Sequence, residues 1–155
     1  MKKIPLTQGK YALVDDEDFE YLSQWRWYWL NGYATKASAR IGGKQKRIYM
    51  HRIILKAKEK DMCDHKNANR CDNRKENLRL CNALQNSWNT KIAKNNTSGY
   101  KGVFWRKERD KWKVCLTANK QNIYIGSFVD KKEAAKAYNK AAIKYFGEFA
   151  LLNVV

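Results

Sequence analysis

Short runs of alternating apolar and polar residues fill the first part of the chain, and a sustained helical repeat appears only near its end. Tyr11-Ala12-Leu13-Val14 reads as a strand. Asp15 and Asp16 precede Phe19 and Leu22, which predicts a short capped helix. Trp25, Trp27 and Trp29 alternate with Arg26 and Tyr28, the period of a strand with one aromatic face. Such a ladder could stack on bases, but packing as a strand face is the reading we adopt. Residues 33–40 and 47–55, joined through Gly42-Gly43, predict a hairpin.

Farther on, Asn77-Leu78-Arg79-Leu80 is short and strand-like, and a helix is expected from Leu84, entered near Gln85-Asn86. The polar run Lys94-Asn95-Asn96-Thr97-Ser98-Gly99 predicts a linker. Beyond it, residues 100–106, 112–118 and 122–128 read as three strands. Asp130 with Glu133 then has the spacing of a capping box. Ala134, Tyr138, Ala141, Ala142 and Tyr145 recur at helical spacing as far as Gly147, a predicted C-cap. The expected fold class is α+β in two parts. Residues 1–94 form a β-rich scaffold with a chemistry-bearing loop, and residues 95–155 form a three-stranded antiparallel sheet backed by one helix.

Composition narrows the partner. The chain has 155 residues and a hydrophobic content of 44%, enough for ordinary cores. Its 32 Lys and Arg against 15 Asp and Glu give a net charge of +17, and every segment shares the excess. A long polyanion is the partner this favours, double-stranded DNA above all. No stretch has the length of a membrane span, and residues 4–10 do not form an apolar signal core, so an intracellular protein with no membrane partner is expected. The four cysteines, at 63, 71, 81 and 115, then read as reduced thiols. No C-x-x-C pair and only two histidines argue against a structural zinc.

The candidate chemistry lies in residues 63–90. Asp64-His65, Asn77 and Asn86 set a carboxylate, an imidazole and two carboxamides along a hairpin-like loop and the start of a helix. A neutral imidazole suits proton abstraction near neutral pH. A carboxylate and an amide oxygen suit a hard cation such as Mg²⁺ (or Mn²⁺). Adjacent residues on a strand point to opposite sides, so Asp64 and His65 could serve metal and base from the two faces. Arg74 and Arg79 are candidate phosphate clamps or, equally, solvated face positions. His51 reads as a structural histidine ahead of a supporting contact to the site or a DNA contact.

The run Asp64-His65 … Asp72-Asn73-Arg74-Lys75-Glu76-Asn77-Leu78-Arg79 … Gln85-Asn86, with Met50-His51-Arg52 upstream, resembles the HNH homing endonucleases of the ββα-metal superfamily, of phage and intron type. That resemblance implies His65 as general base, Asp64 and Asn86 as holders of one divalent metal, and Asn77 as the brace that fixes His65. Asn86 stands where the family's last letter is His, as in homing-type members. Residues 98–153 resemble the plant ethylene-response-factor (Apetala-type) DNA-binding domain, also found fused to phage HNH nucleases. The resemblance is carried by Ser98-Gly99-Tyr100-Lys101-Gly102-Val103-Phe104-Trp105, Trp112, Tyr124-Ile125-Gly126-Ser127-Phe128, Glu133-Ala134-Ala135-Lys136-Ala137-Tyr138, and Phe146-Gly147 to Ala150-Leu151-Leu152-Asn153.

In that second family the free sheet face enters the major groove. Strand alternation then turns Val103, Trp112, Val114, Leu116, Ile123 and Ile125 to the helix, and Lys101, Phe104, Arg106, Lys113, Thr117, Asn122 and Tyr124 to DNA. Phe104, Thr117 and Asn122 replace arginines of the plant domains, which removes guanine contacts. The resemblances together imply a site-specific, metal-dependent DNA endonuclease, nicking or double-strand cutting, acting as monomer or homodimer. A non-catalytic DNA-binding regulator is the alternative.

Overall fold

The computed structural model describes residues 1–40 and 42–155 and divides the chain into two compact units, Met1–Asn86 and Ser87–Val155. Both mix helix and sheet, an α+β architecture. In the first unit, β1 (Lys2–Pro5) and β2 (Tyr11–Val14) form an antiparallel hairpin, closed through Gln8 and Gly9, both in the left-handed region. Helix α1 (Asp16–Ser23) follows with three acidic residues in its first turn, where the helix dipole favours them. Strands β3 (Tyr28–Leu30), β4 (Tyr33–Ala37) and β5 (Arg47–Tyr49) make a three-stranded sheet. Helix α2 (Met50–Ile54) leads to the hairpin of β6 (Met62–His65) and β7 (Leu78–Cys81), and then to α3 (Ala83–Trp88). The division between the units falls inside α3.

Two expectations about this unit are corrected. The Trp25–Trp29 ladder is not one strand. β3 begins at Tyr28, paired with Thr35, and Trp25 to Trp27 stay outside the sheet although β4 runs on to Ala37 beside β5. Trp27 is instead buried at the exit of α1, its indole N–H donating to Leu22 O at 2.8 Å, with Trp25 set edge-on against it. The expected strand over residues 47–55 ends at Tyr49 and becomes helix. Met50, Ile53 and Ile54 all reach the core, and i, i+3, i+4 spacing is helical rather than alternating. The expected hairpin stands, β4 pairing antiparallel with β5 and Gly42 and Gly43 both left-handed between them, and a second tight turn joins β3 to β4 at Asn31-Gly32, with φ of 49° and 88°. Residue 41, within the expected hairpin, lies outside the described residues.

The second unit orders its strands β10–β9–β8, with β8 (Val103–Arg106), β9 (Lys111–Ala118) and β10 (Gln121–Phe128) antiparallel. Helix α4 (Lys131–Phe146) covers one face. Asp130 caps it, its Oδ1 accepting from Glu133 N at 2.7 Å, and Gly147 closes it at φ 54°. Small residues on the inward stripe (Ala134, Ala135, Ala141, Ala142) let the helix lie close to Val103, Val114 and Leu116. Tyr145, expected on this stripe, is 41% exposed; Phe146 is buried in its place. A bulge at Ile125 shifts the register of β10, yet Ile123 and Ile125 both pack on the core. Asn153 bonds to both Asn139 and the backbone of Lys101, pinning the chain end to helix and sheet. No helix among the described residues is long and apolar enough to cross a membrane.

Candidate active site and nucleic-acid face

The loop between β6 and β7 is held almost entirely by polar groups. Asn77 Oδ1 accepts from Asn67 N at 3.0 Å, and its Nδ2 donates to Asp72 O at 2.7 Å. Its backbone carbonyl accepts from Lys66 N. Asn77 thus spans the loop and closes it immediately beyond His65. Asn67 and Asn69 form side-chain turns, Asn67 Oδ1 accepting from Asn69 N and Asn69 Oδ1 from Cys71 N. Asp72 is 2% exposed and receives Arg74 Nε at 2.8 Å, Arg74 Nη2 at 2.7 Å and Asn67 Nδ2 at 2.8 Å. These donors, the Arg74 guanidinium first, hold its carboxyl below the usual carboxylate range.

Behind the loop stands the N-terminal hairpin. Leu13 N donates to Cys71 O and Asn73 N donates to Leu13 O, both at 2.8 Å, so the loop extends β2 by one parallel bridge. Asp15 Oδ2 accepts from Lys75 N at 2.7 Å. Lys75 Nζ meets the Glu17 carboxylate, with Asp18 beside it at 3.4 Å. The Cys71 thiol donates to Gly32 O, and Arg70 bonds Asn31 O while its guanidinium stacks over Tyr33. Residues 70–75 are therefore gripped from β2, from α1 and from the Asn31-Gly32 turn.

His65 ends β6 and is 5% exposed. Its ring lies 5.0 Å from that of His51, edge to face, and 6.0 Å from that of Tyr33. Nε2 sits 3.4 Å from Asn73 Oδ1. Burial lowers the His65 pKa below the ordinary histidine value, opposed by the Asn73 contact and by Asp64 and Asp72. His51 is pushed down to about 3, by burial first and then by the charges of His65 and Arg52. Both rings are therefore neutral at pH 7, the state a proton acceptor needs.

Asp64 is 6% exposed, opposite Arg79 across the β6–β7 ladder. Its Oδ2 receives Arg79 Nε at 2.9 Å and Nη2 at 2.7 Å. Asn86 lies exposed on α3. The start of that helix is fixed by a reciprocal pair, Gln85 N to Asn82 Oδ1 at 2.8 Å and Asn82 N to Gln85 Oε1 at 2.9 Å. Among the described residues no three or more His, Cys, Asp or Glu gather into a metal-holding group. The Asp64 carboxylate on β6 and the Asn86 amide oxygen on α3 are of the donor type a hard cation takes, one that keeps much of its water. Arg79 competes for one of those oxygens.

The remaining candidates are disposed unevenly. Arg74 is engaged by Asp72 and Glu76 and remains partly accessible. Arg79 is 8% exposed against Asp64, so it stands on no open face. On the sheet of the second unit, Phe104, Arg106, Thr117, Asn122 and Tyr124 are exposed on the side away from α4, with Lys113 half-buried beside the Tyr124 ring. Lys101 departs from that face. It precedes β8, its Nζ donates to Trp88 O at 2.6 Å, and burial lowers its pKa. His51 stands beside the imidazole, as its reading as a supporting contact allows, whereas nothing in the sequence spacing places Asn73 there. The left-handed turn at Ala68 that folds the loop back, bringing Asn73 to His65, has no marker in the sequence pattern.

Over 150 residues, 96% of its length, the chain is 30% identical to an uncharacterized HNH endonuclease of Acanthamoeba polyphaga mimivirus and covers 77% of that protein. Over 55 residues, 36% of the chain, it is 47% identical to protein 3.8 of Escherichia phage T7, covering 46% of it. Over 57 residues, 37% of the chain, it is 33% identical to an AP2-like ethylene-responsive transcription factor of Arabidopsis thaliana, covering 18% of it. No family model and no solved structure matches.

Proposed function

We propose, from the premise that the chain belongs to the HNH endonuclease family, that it is a homing-type, site-specific DNA endonuclease. The observation that carries this is the enclosed, neutral His65 at the end of β6, in a loop closed by Asn77 and followed directly by β7 and α3. His65 takes the proton from an attacking water. Asn77 keeps the loop shut so that the imidazole cannot turn away. Asp64 and Asn86 would hold a hard divalent ion, Mg²⁺ or Mn²⁺, whose chemistry is to stabilise charge on the scissile phosphate and leaving oxygen. Arg74, partly accessible, would exchange its exposed Glu76 partner for a backbone phosphate while Asp72 holds its other edge.

The second unit is the finder. Its uncovered sheet face carries Arg106 and Lys113 for phosphates, with Asn122, Thr117 and Phe104 for base edges. Asparagine favours adenine, and methyl or aromatic carbon favours the thymine methyl, so A·T pairs are the expected preference. A single site cuts one strand, so a monomer nicks and a homodimer is needed for a concerted double-strand break.

The test is cleavage of source-genome DNA in a Mg²⁺ and Mn²⁺ series by wild type and His65→Ala. We expect the variant to lose about 100- to 10,000-fold in nicking rate with little change in duplex affinity. A non-catalytic regulator is the second reading, favoured by the Arg79 guanidinium seated on Asp64. It prevails if wild type and variant bind alike and neither nicks with either metal.

A further inference from the structure

Asn73 is one of the most enclosed side chains in the molecule, at 0% exposure, and its amide is only half used. Oδ1 faces His65 Nε2 at 3.4 Å, whereas Nδ2 has no hydrogen-bond partner among the described residues. A buried donor left without a partner is unfavourable, because it gives up its bonds to water and gains none. A leucine of similar size would carry no such cost at this position. The polar group persists beside an imidazole, and its amide oxygen is turned to that imidazole.

The backbone explains why the contact is directional. Asn73 N is tied to Leu13 O at 2.8 Å in the parallel bridge to β2, so the side chain starts from a fixed point on the scaffold. His65 starts from another, the β6–β7 ladder, where it pairs with Leu78. An amide oxygen cannot donate. Facing Nε2, it selects the ring form that bears its proton there, and the neutral ring then carries its lone pair on Nδ1. The 3.4 Å separation is long for such a bond, as catalytic hydrogen bonds are before substrate tightens them.

We propose that Asn73 is a positioning residue for His65: its Oδ1 accepts the Nε2 proton, which fixes the imidazole's tautomer and orientation and presents Nδ1 as the proton-accepting nitrogen. This rests on the nuclease reading above for its consequence in rate, but not for the contact itself. Asn73 thereby transmits the position of the N-terminal hairpin to the reacting end of the site, and the β-rich segment becomes part of the catalytic frame.

With only two histidines, the full chain suits nitrogen-detected imidazole spectroscopy, and His65→Ala assigns the pair. In wild type, His65 should show a protonated Nε2 with a slowly exchanging proton, and an unprotonated Nδ1. Asn73→Leu should retain the fold, because the backbone bond to Leu13 stays, yet lose that protected proton and about 10- to 100-fold in kcat, with KM for duplex DNA unchanged. Asn73→Asp, which keeps an acceptor in place, should hold the proton and recover much of the rate. The proposal is overturned if wild-type His65 is protonated on Nδ1, or if Asn73→Leu nicks at the wild-type rate with the wild-type ring signals. Should wild type and His65→Ala both leave DNA uncut, the nuclease reading fails, while the ring signals still decide whether Asn73 sets the tautomer. If Asn73→Leu does not fold, the ring signals of wild type and Asn73→Asp decide the same question.

Discussion

The two units bury different kinds of matter. Inside the first, Thr35, His51, Asp64, His65, Asp72, Asn73, Asn77 and Arg79 are all enclosed, and every one belongs to the sheet, helix or loop around the imidazole. Inside the second, α4 meets its sheet through alanines, valines, leucine and aromatic rings; Asn89 and Ser98 are buried near its start, and the candidate DNA-facing side chains stand on the outer face. An apolar interior tolerates exchange of one hydrocarbon for another of like volume. A buried polar network does not, because each removal leaves an uncompensated partner. The first unit has its candidate chemistry within and the second wears it outside, in keeping with the proposed roles of cutting and reading.

The contrast is sharpest at the Asp64–Arg79 pair. Replacing Arg79 by Met should destabilise the first unit by about 3–5 kcal/mol in urea titration, since a buried carboxylate loses its counter-charge. Added Mg²⁺ should raise the variant's midpoint more than the wild type's if Asp64 can take a cation instead. An equal response in both would remove Asp64 from the metal pair.

The matching break in the second unit is steric. A Cβ at Gly102 would meet the Tyr138 ring at 2.2 Å and Cys115 O at 2.6 Å, in a backbone at φ +73°. Gly102→Ala should cost about 2–4 kcal/mol. Amide exchange should show the loss confined to residues of the second unit, with the His65 loop still protected; loosening of both would dissolve the comparison.

A smaller effect tests the outer face. Asn122→Ala should leave the fold intact and narrow the preference for A·T-containing over G·C duplexes by about 1–3 kcal/mol in competition binding. A uniform loss of affinity on all duplexes would reduce Asn122 to a contact without sequence content.

Acid should separate the units last. His51, pushed down to about 3, and His65, lowered by the same burial, stay neutral when folded but take protons when unfolded. Their contribution is whole above the unfolded value near 6.5 and is lost as pH falls below it. The slope is at most ~1.4 kcal/mol per pH unit for each ring. Asp72, held low by Arg74, loses its contribution in the same direction at lower pH. The first unit should therefore melt earlier than the second between about pH 6 and 4, and His51→Gln should flatten that dependence.

How much of this was legible in the sequence follows the same division. The second unit was readable almost to the residue, because alternation and helical spacing record an apolar interior directly. Its exceptions are the first strand, which starts at Val103 and not at residue 100, Tyr145, one place off the stripe, and Lys101, drawn to a carbonyl that no pattern announces. In the first unit the order of Asp64, His65, Asn77 and Asn86 marked the loop, but nothing in that order says that Asn73 faces the imidazole or that Arg79 covers Asp64. Those contacts depend on a fold-back at Ala68 and a bridge to β2, neither of which a local pattern encodes. Two local signals did stand in plain view: Asn31-Gly32 for the turn between β3 and β4, and Met50, Ile53, Ile54 for the helix that follows β5.

The bridge between Leu13 and Asp72 has one more consequence. Two stretches lying far apart along the polypeptide must meet before the His65 loop acquires its shape, so residues 62–88 grafted onto a foreign frame would bring every letter of the motif and none of its grip. Anyone transplanting this cutter must carry the opening hairpin along with it.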